Sequence, residues 1–254
     1  MKLTKLTKSL EEILTLPPHA LGLPLLRPRA LTRKAQEKLT TLCPTRAFYE
    51  EEEEFRLDLA RCVGCGLCFQ LEAVEEMRSL EVAATRREDL IQRVDLARQA
   101  FVEPDPPPPT RKVLHLGVLA FREVSAGNTG LDDSEIALLG NPFHDMGRFG
   151  FRVVASPRHA DTLLVTGPVS RNMREALLRT YEAMPEPKGV VAVGNEAISG
   201  ELFAGSPEVL GGVDQLLPVD VYVLGSPPRP GAILFSLLLL SGRVRQRLVG
   251  GQVG

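Results

Sequence analysis

The sequence predicts an α/β protein in two parts, a cysteine-bearing N-terminal part and a C-terminal part built on a mostly parallel sheet. Three observations carry that prediction. Beyond residue 111, short β-branched apolar runs bounded by Gly, Pro or Ser alternate with a stretch of helical periodicity, the pattern of buried parallel strands joined by helices. All four cysteines, Cys43, Cys62, Cys65 and Cys68, precede that region. Between the two parts lies Glu103–Thr110, where the prolines at 104, 106, 107, 108 and 109 fit neither a helix interior nor a central strand and read as a stiff linker. The expected organisation is an N-terminal extension over 1–35, a cysteine domain over 36–102, a linker over 103–111 and a sheet domain over 112–254.

The composition narrows the function classes. With 254 residues, 44% of them apolar and 24% charged, the chain has the means to bury a core, so disorder along its whole length is excluded. Its formal net charge of −2 provides no basic field for nucleic acid. The most apolar run, Gly231–Leu240, is about half the roughly 20 residues of a membrane-spanning helix. Glu11 and Glu12 interrupt the only N-terminal stretch that resembles a leader, so a cytoplasmic location is expected. Disulfides are disfavoured there, and four cysteines read first as metal ligands.

In chain order, Leu3, Leu6, Leu10, Ile13 and Leu14 fall at helical spacing and predict a short amphipathic helix. It packs either on its own protein or on a partner or membrane surface. Pro17, Pro18, Pro24 and Pro28 prevent its continuation. The run Glu50–Glu54 predicts a solvated loop. Leu71–Ala100, rich in Glu, Arg, Leu and Ala, predicts one or two helices. Strands are predicted at 113–120, 151–155, 162–166, 189–193 and 219–224, with a helix over Val169–Met184.

The last three cysteines stand in RCVGCGLC, a CxxCxxC in which Gly64 and Gly66 let the backbone wrap closely. Cys43 precedes Pro44 and lies 19 positions before Cys62. This layout resembles a two-cluster bacterial ferredoxin with one half erased. In that family each C-x2-C-x2-C-x3-C-P run gives three cysteines to one cluster and its fourth to the other. LCPTRAF resembles the tail of a first run whose leading cysteines are missing, and Glu72 stands at the fourth position of the second run. The crossed rule then implies that Cys43, Cys62, Cys65 and Cys68 hold one [4Fe–4S] cluster in a degenerate ferredoxin-like α+β domain. A structural zinc on the same four thiolates is the alternative.

The C-terminal part resembles the B-type (20 kDa) subunit of NADH:quinone oxidoreductase and the small subunit of membrane-bound [NiFe]-hydrogenases. The segments that carry this are AGNTGLDDSEIALL (126–139), SPRHADTLLVTGPVSRNMREAL (156–177), YEAMPEPKGVVAVG (181–194) and FAGSPEVLGGVDQLLPVDVYVLGSPPRPGAIL (203–234). The resemblance implies a flavodoxin-like sheet domain, with a [4Fe–4S] cluster on four cysteines. The corresponding positions here are Asn128, Leu131, Glu196 and Ser226, none of them a thiolate, so no cluster is expected in this part.

Other residues keep open readings. Arg171 and Arg229 either meet a large partner subunit or serve as surface or capping residues, and Asp161 reads as a turn cap. His144 and His159 have no companion at metal-ligand spacing. No glycine-rich phosphate motif and no nucleophile set are present. Together the two resemblances imply an iron–sulfur subunit of a complex I-like or energy-converting hydrogenase-related assembly. It would be an electron-transfer or scaffold chain with no active site of its own, held on the cytoplasmic face of the membrane through a hydrogenase-like or complex I-like large subunit and membrane subunits.

Overall fold

The computed structural model describes residues 8–107, 119–127 and 129–254. The N-terminal part opens with helix α1 (Leu10–Leu14), capped reciprocally by Ser9 and Glu12. Strand β1 (Leu23–Leu26) and helix α2 (Arg33–Leu42) follow. The next strands are β2 (Phe48–Glu51), β3 (Glu54–Asp58), β4 (Val74–Met77), β5 (Ala83–Ala84), β6 (Ile91–Asp95) and β7 (Ala100–Phe101). β2, β3, β6 and β7 form a four-stranded antiparallel sheet in that order, and β1 pairs with β4.

The C-terminal part contains β8 (Leu119–Ser125), α3 (Leu131–Ala137), β9 (Phe151–Val153), β10 (Thr162–Thr166), α4 (Arg174–Glu182), β11 (Gly189–Val193) and α5 (Gly194–Ser199). It continues with β12 (Val221–Val223), α6 (Pro230–Leu240), β13 (Leu248–Val249) and β14 (Gln252–Val253). Its five parallel strands run β9–β8–β10–β11–β12. Numbered within the sheet this is 2-1-3-4-5, the flavodoxin-like order, with the switch point between β8 and β10. Every residue of β10 and β11 is buried, as a sheet covered on both faces requires.

Most of the expected C-terminal elements are present, in some cases shortened. Of the strand expected at 113–120, residues 113–118 lie outside the described residues, and Leu119 and Ala120 begin β8. The apolar run 231–240 forms α6, all eleven residues of which are buried. A helix apolar all round belongs in a core, and α6 packs on β5, β11 and β12. Among the described residues no helix is long and apolar enough to cross a membrane. The described part of the N-terminal amphipathic helix, α1, packs on α6 through Ile13, so close that a Cβ at Gly231 would lie 2.5 Å from the Ile13 carbonyl oxygen.

Two N-terminal expectations are corrected. Leu71–Ala100 forms no α-helix, only a 3-10 turn over Glu88–Leu90. It supplies β4 to β1, β5 to the large sheet, and β6 between β3 and β7. Strand pairing overrides helix propensity here. Arg93 on β6 reaches Glu54 on β3 through two bonds of 2.7 and 2.8 Å, and Glu54 also accepts from Arg56 at 2.8 Å. Glu50–Glu54 is a hairpin, with Glu52 and Glu53 at φ +53° and +65° in the turn between β2 and β3. Arg56 offsets the like charges by pairing with Glu51, Glu52 and Glu54.

Residues on either side of the proline-rich segment share one sheet and one core. β5 pairs antiparallel with β12, Ala84 opposite Tyr222 and Ala83 opposite Val223. The β13–β14 hairpin returns to the N-terminal part through Gln92. This fully buried amide donates to Pro24 O (2.8 Å) and Gly251 O (3.0 Å) and accepts from Leu26 N–H (2.8 Å). Replacing Gln92 by Leu strands three buried backbone groups. It should lower stability by about 2–4 kcal/mol in urea unfolding, and an unchanged midpoint would contradict this role of Gln92.

Candidate functional site

Local structure brings the four cysteines to one place. Cys43 ends α2, where its N–H is bonded to Leu39 O. Cys62 ends a 3-10 turn over Leu59–Arg61, and Cys68 lies in a second over Leu67–Gln70. Gly66 enters that second turn at φ +74°, a left-handed geometry that glycine adopts without strain. Cys43, Cys62, Cys65 and Cys68 line a single small cavity, and Leu39, Leu42, Phe48 and Phe69 contribute to its walls. Backbone N–H groups approach two of the sulfurs, Ala47 to Cys43 Sγ at 3.3 Å and Gly64 to Cys62 Sγ at 3.4 Å.

Two of these thiols, Cys62 and Cys68, hold their protons firmly. Burial pushes Cys62 up to about 12 despite the Gly64 N–H, and Cys68, Cys43 and Cys65 push it the same way. Burial and then Cys65 raise Cys68 to about 11. Only a strong Lewis acid keeps several such groups ionised side by side. The donor set therefore suits a thiophilic metal or cluster: four soft sulfurs, apolar walls and N–H groups toward sulfur. The side chains are not drawn in around one. Among the described residues no group of three or more His, Cys, Asp or Glu is arranged to hold a metal ion.

A second set of residues gathers at the carboxyl ends of the parallel strands, beside the switch point. Asn128 lies outside the described residues. Leu131 opens α3 and is 55% exposed. Glu196, buried in α5, accepts from the Thr129 hydroxyl at 3.1 Å and more weakly from its N–H at 3.4 Å. Ser226 lies beside Glu201 and acts to lower that carboxyl's pKa. Sequence reasoning missed the carboxyl groups that accompany Glu196. Asp132 and Glu201 are buried, and each has one oxygen without a hydrogen-bond partner, Asp132 Oδ2 and Glu201 Oε1. Burial, then Glu196, raises Asp132 to about 7. Burial raises Glu201 to about 7 against the Ser226 hydrogen bond, with Glu196 adding to the rise. On β8, burial and Asp133 raise Glu123 to about 8.

A third feature ties the two places together. Asn195 of α5 is fully buried. Its amide donates to Leu59 O at 2.9 Å and Cys62 O at 2.7 Å and accepts from Gly225 N–H at 3.1 Å. One helical turn later the Ser199 hydroxyl donates to Ala60 O at 2.7 Å. The sequence holds no signal for this contact, because nothing local marks an Asn beside a strand end as a bridge to a loop 133 positions earlier.

The remaining candidates are placed as follows. Asp161 accepts from Ala120 N–H at 3.1 Å and ties β8 to the start of β10. His144 pairs with Asn141 Oδ1 at 3.1 Å, and burial lowers its pKa. His159 is exposed on a 3-10 turn. Arg171 donates to Pro207 O, and Arg229 is exposed at the start of α6.

A doubly wound sheet of order 2-1-3-4-5, with polar groups collected at its switch point, defines a flavodoxin-like α/β protein. Residues 132–240 match the family model described as NADH ubiquinone oxidoreductase, 20 Kd subunit. The chain is 48% identical over 119 residues to the B-type NADH-quinone oxidoreductase subunit of Bacteroides thetaiotaomicron, covering 46% of this chain and 60% of that protein. The corresponding B-type protein of Carboxydothermus hydrogenoformans is 46% identical, covering 44% of this chain and 68% of the relative. A probable membrane-bound hydrogenase subunit of Pyrococcus furiosus is 42% identical over 127 residues, covering 50% of this chain and 76% of the relative. The chain belongs to the family of the 20 kDa, or B-type, subunit of NADH:ubiquinone oxidoreductase.

The carboxyl cluster predicts a pH dependence. A carboxyl group whose folded pKa lies above its unfolded value binds its proton more tightly when folded. Its contribution is therefore most favourable below about pH 4 and declines as pH rises to about 7, beyond which it is constant. Asp132→Asn removes the decline and should stabilise the protein by about 1–3 kcal/mol more at pH 8 than at pH 4.5 in urea titrations. An identical mutational effect at both pH values would contradict the assignment.

Proposed function

We propose that this chain is an electron-transfer subunit of a membrane-associated complex related to NADH:quinone oxidoreductase or to energy-converting hydrogenases. We further propose that it carries one [4Fe–4S] cluster, on Cys43, Cys62, Cys65 and Cys68. The single observation that supports the cluster is the convergence of all four thiols on one cavity. Family membership supports the assembly.

When bound, the cluster supplies a one-electron carrier. The chain's own residues have separate tasks. The four cysteine thiols would give up their protons and, as thiolates, would hold the iron. Leu39, Leu42, Phe48 and Phe69 restrict water around the sulfurs, and the N–H groups of Ala47 and Gly64 stabilise negative charge on Cys43 and Cys62. The absence of thiolates at Leu131, Glu196 and Ser226 favours a chain in which electrons enter and leave on the N-terminal side.

The same thiols suit a tetrahedral zinc, which would make the chain a scaffold without redox function. The proposed partners are the large subunit of such a complex and its membrane subunits. Exposed Leu131, Leu138, Leu202 and Phe203, with Arg229, offer apolar and cationic contacts for a large partner. The chain then lies on the cytoplasmic face, held through partners.

Anaerobically purified protein should contain about four iron and four sulfide per chain, with a reversible EPR signal after dithionite. Cys65→Ser should abolish both. One zinc without iron would replace electron transfer with the scaffold reading, and iron content insensitive to Cys65→Ser would overturn the ligand assignment.

A further inference from the structure

We infer that Asn195, assisted by Ser199, is a positioning residue for Cys62: the C-terminal sheet grips the Leu59–Cys62 loop by its carbonyls and fixes where the Cys62 thiol enters the cavity. The ligand role of Cys62 rests on the reading above, whereas the grip itself does not.

The geometry is specific to an amide. Both Asn195 N–H bonds are used, to Leu59 O at 2.9 Å and Cys62 O at 2.7 Å, while Oδ1 accepts from Gly225 N–H at 3.1 Å. The Asn195 backbone N–H returns a bond to Gly225 O at 2.8 Å. An ionised aspartate would set carboxylate oxygen against two carbonyl oxygens, and alanine would leave both carbonyls and the Gly225 N–H without this partner. Ser199 stands four residues later, so it shares a helical face with Asn195 and reaches Ala60 O at 2.7 Å. Three carbonyls of the Leu59–Cys62 turn are thus held by one face of α5.

The Cys62 carbonyl carbon is bonded directly to the Cα that bears the thiol, so fixing that carbonyl restricts the thiol's origin. The other ligands have different anchors. Cys43 is carried by α2, and Cys68 accepts Leu71 N–H at its own carbonyl within its turn. The grip therefore acts on one ligand of four. Through Asn195 it also links that ligand to the Gly225 loop at the strand ends.

The test uses the full-length protein, first free of metal and then reconstituted with iron and sulfide. Alkylation of each cysteine by iodoacetamide is followed by peptide-resolved mass spectrometry in wild type, Asn195→Ala, Asn195→Asp and Ser199→Ala. The metal-free Asn195 variants should label Cys62 about tenfold faster than wild type, and Ser199→Ala a few-fold faster, with Cys43 unchanged. After reconstitution the same variants should lose iron to a chelator correspondingly faster. If Asn195→Ala does not fold by circular dichroism, Ser199→Ala decides the matter. Unchanged Cys62 labelling, or an equal rise at all four thiols, overturns the inference. A wild type that takes up no iron, but whose Cys62 labelling still depends on Asn195, removes the cluster reading and upholds the grip.

Discussion

The buried amide of Asn195 is the constraint on which the arrangement of the two parts depends. A polar side chain with no solvent exposure must satisfy each of its hydrogen-bonding groups within the protein. Here that requirement is met only if the cysteine-bearing turn and the Gly225 loop approach α5 together. Once they do, the other contacts follow without conflict. β5 completes the edge of the sheet beside β12, α1 lies on α6, and the C-terminal hairpin closes on Gln92. Two segments on opposite sides of a proline-rich stretch thereby fold around one core.

The strand carboxyl ends gather oxygen donors in a buried setting. Glu196 and Ser226 are polar, but they are hard oxygen donors. They keep company with Asp132 and Glu201, each raised to about 7 mainly by burial. Burying several carboxylates without a cation is costly, and protons are the least expensive compensation. Gly194 permits the crowding, since a Cβ there would stand 2.7 Å from an Asp132 oxygen. The result is a polar interior whose chemistry belongs to weak acids. The soft donors of the chain are concentrated instead in the N-terminal cavity, where four sulfurs and little else define the walls' chemistry.

Much of the C-terminal half was legible because its local signals and its tertiary role agree. Runs such as Thr162–Thr166 and Gly189–Val193 are β-branched, bounded by breakers and buried on both faces, so periodicity and structure give the same answer. The family resemblance there implied the flavodoxin-like, mostly parallel sheet that the structure has. Leu71–Ala100 was misread because Glu, Arg, Leu and Ala favour helices in isolation, while β4, β5 and β6 are fixed by partners distant in sequence. Four cysteines at telling intervals marked the cavity in advance. Asn195, Asp132 and Glu201 could not be singled out, because their importance lies in burial and in contacts with residues distant in sequence or brought together only by the fold. Sequence carries the identity of such residues, and only the fold supplies their surroundings.

If the metal chemistry of this family member resides in the four-thiol cavity, iron has one place to be. Anomalous diffraction at the iron edge, from crystals of anaerobically purified protein, tests that by position. One iron feature enclosed by Cys43, Cys62, Cys65 and Cys68 is the expected result. An iron feature beside Glu196 and Ser226, or none between the four cysteines, would contradict it.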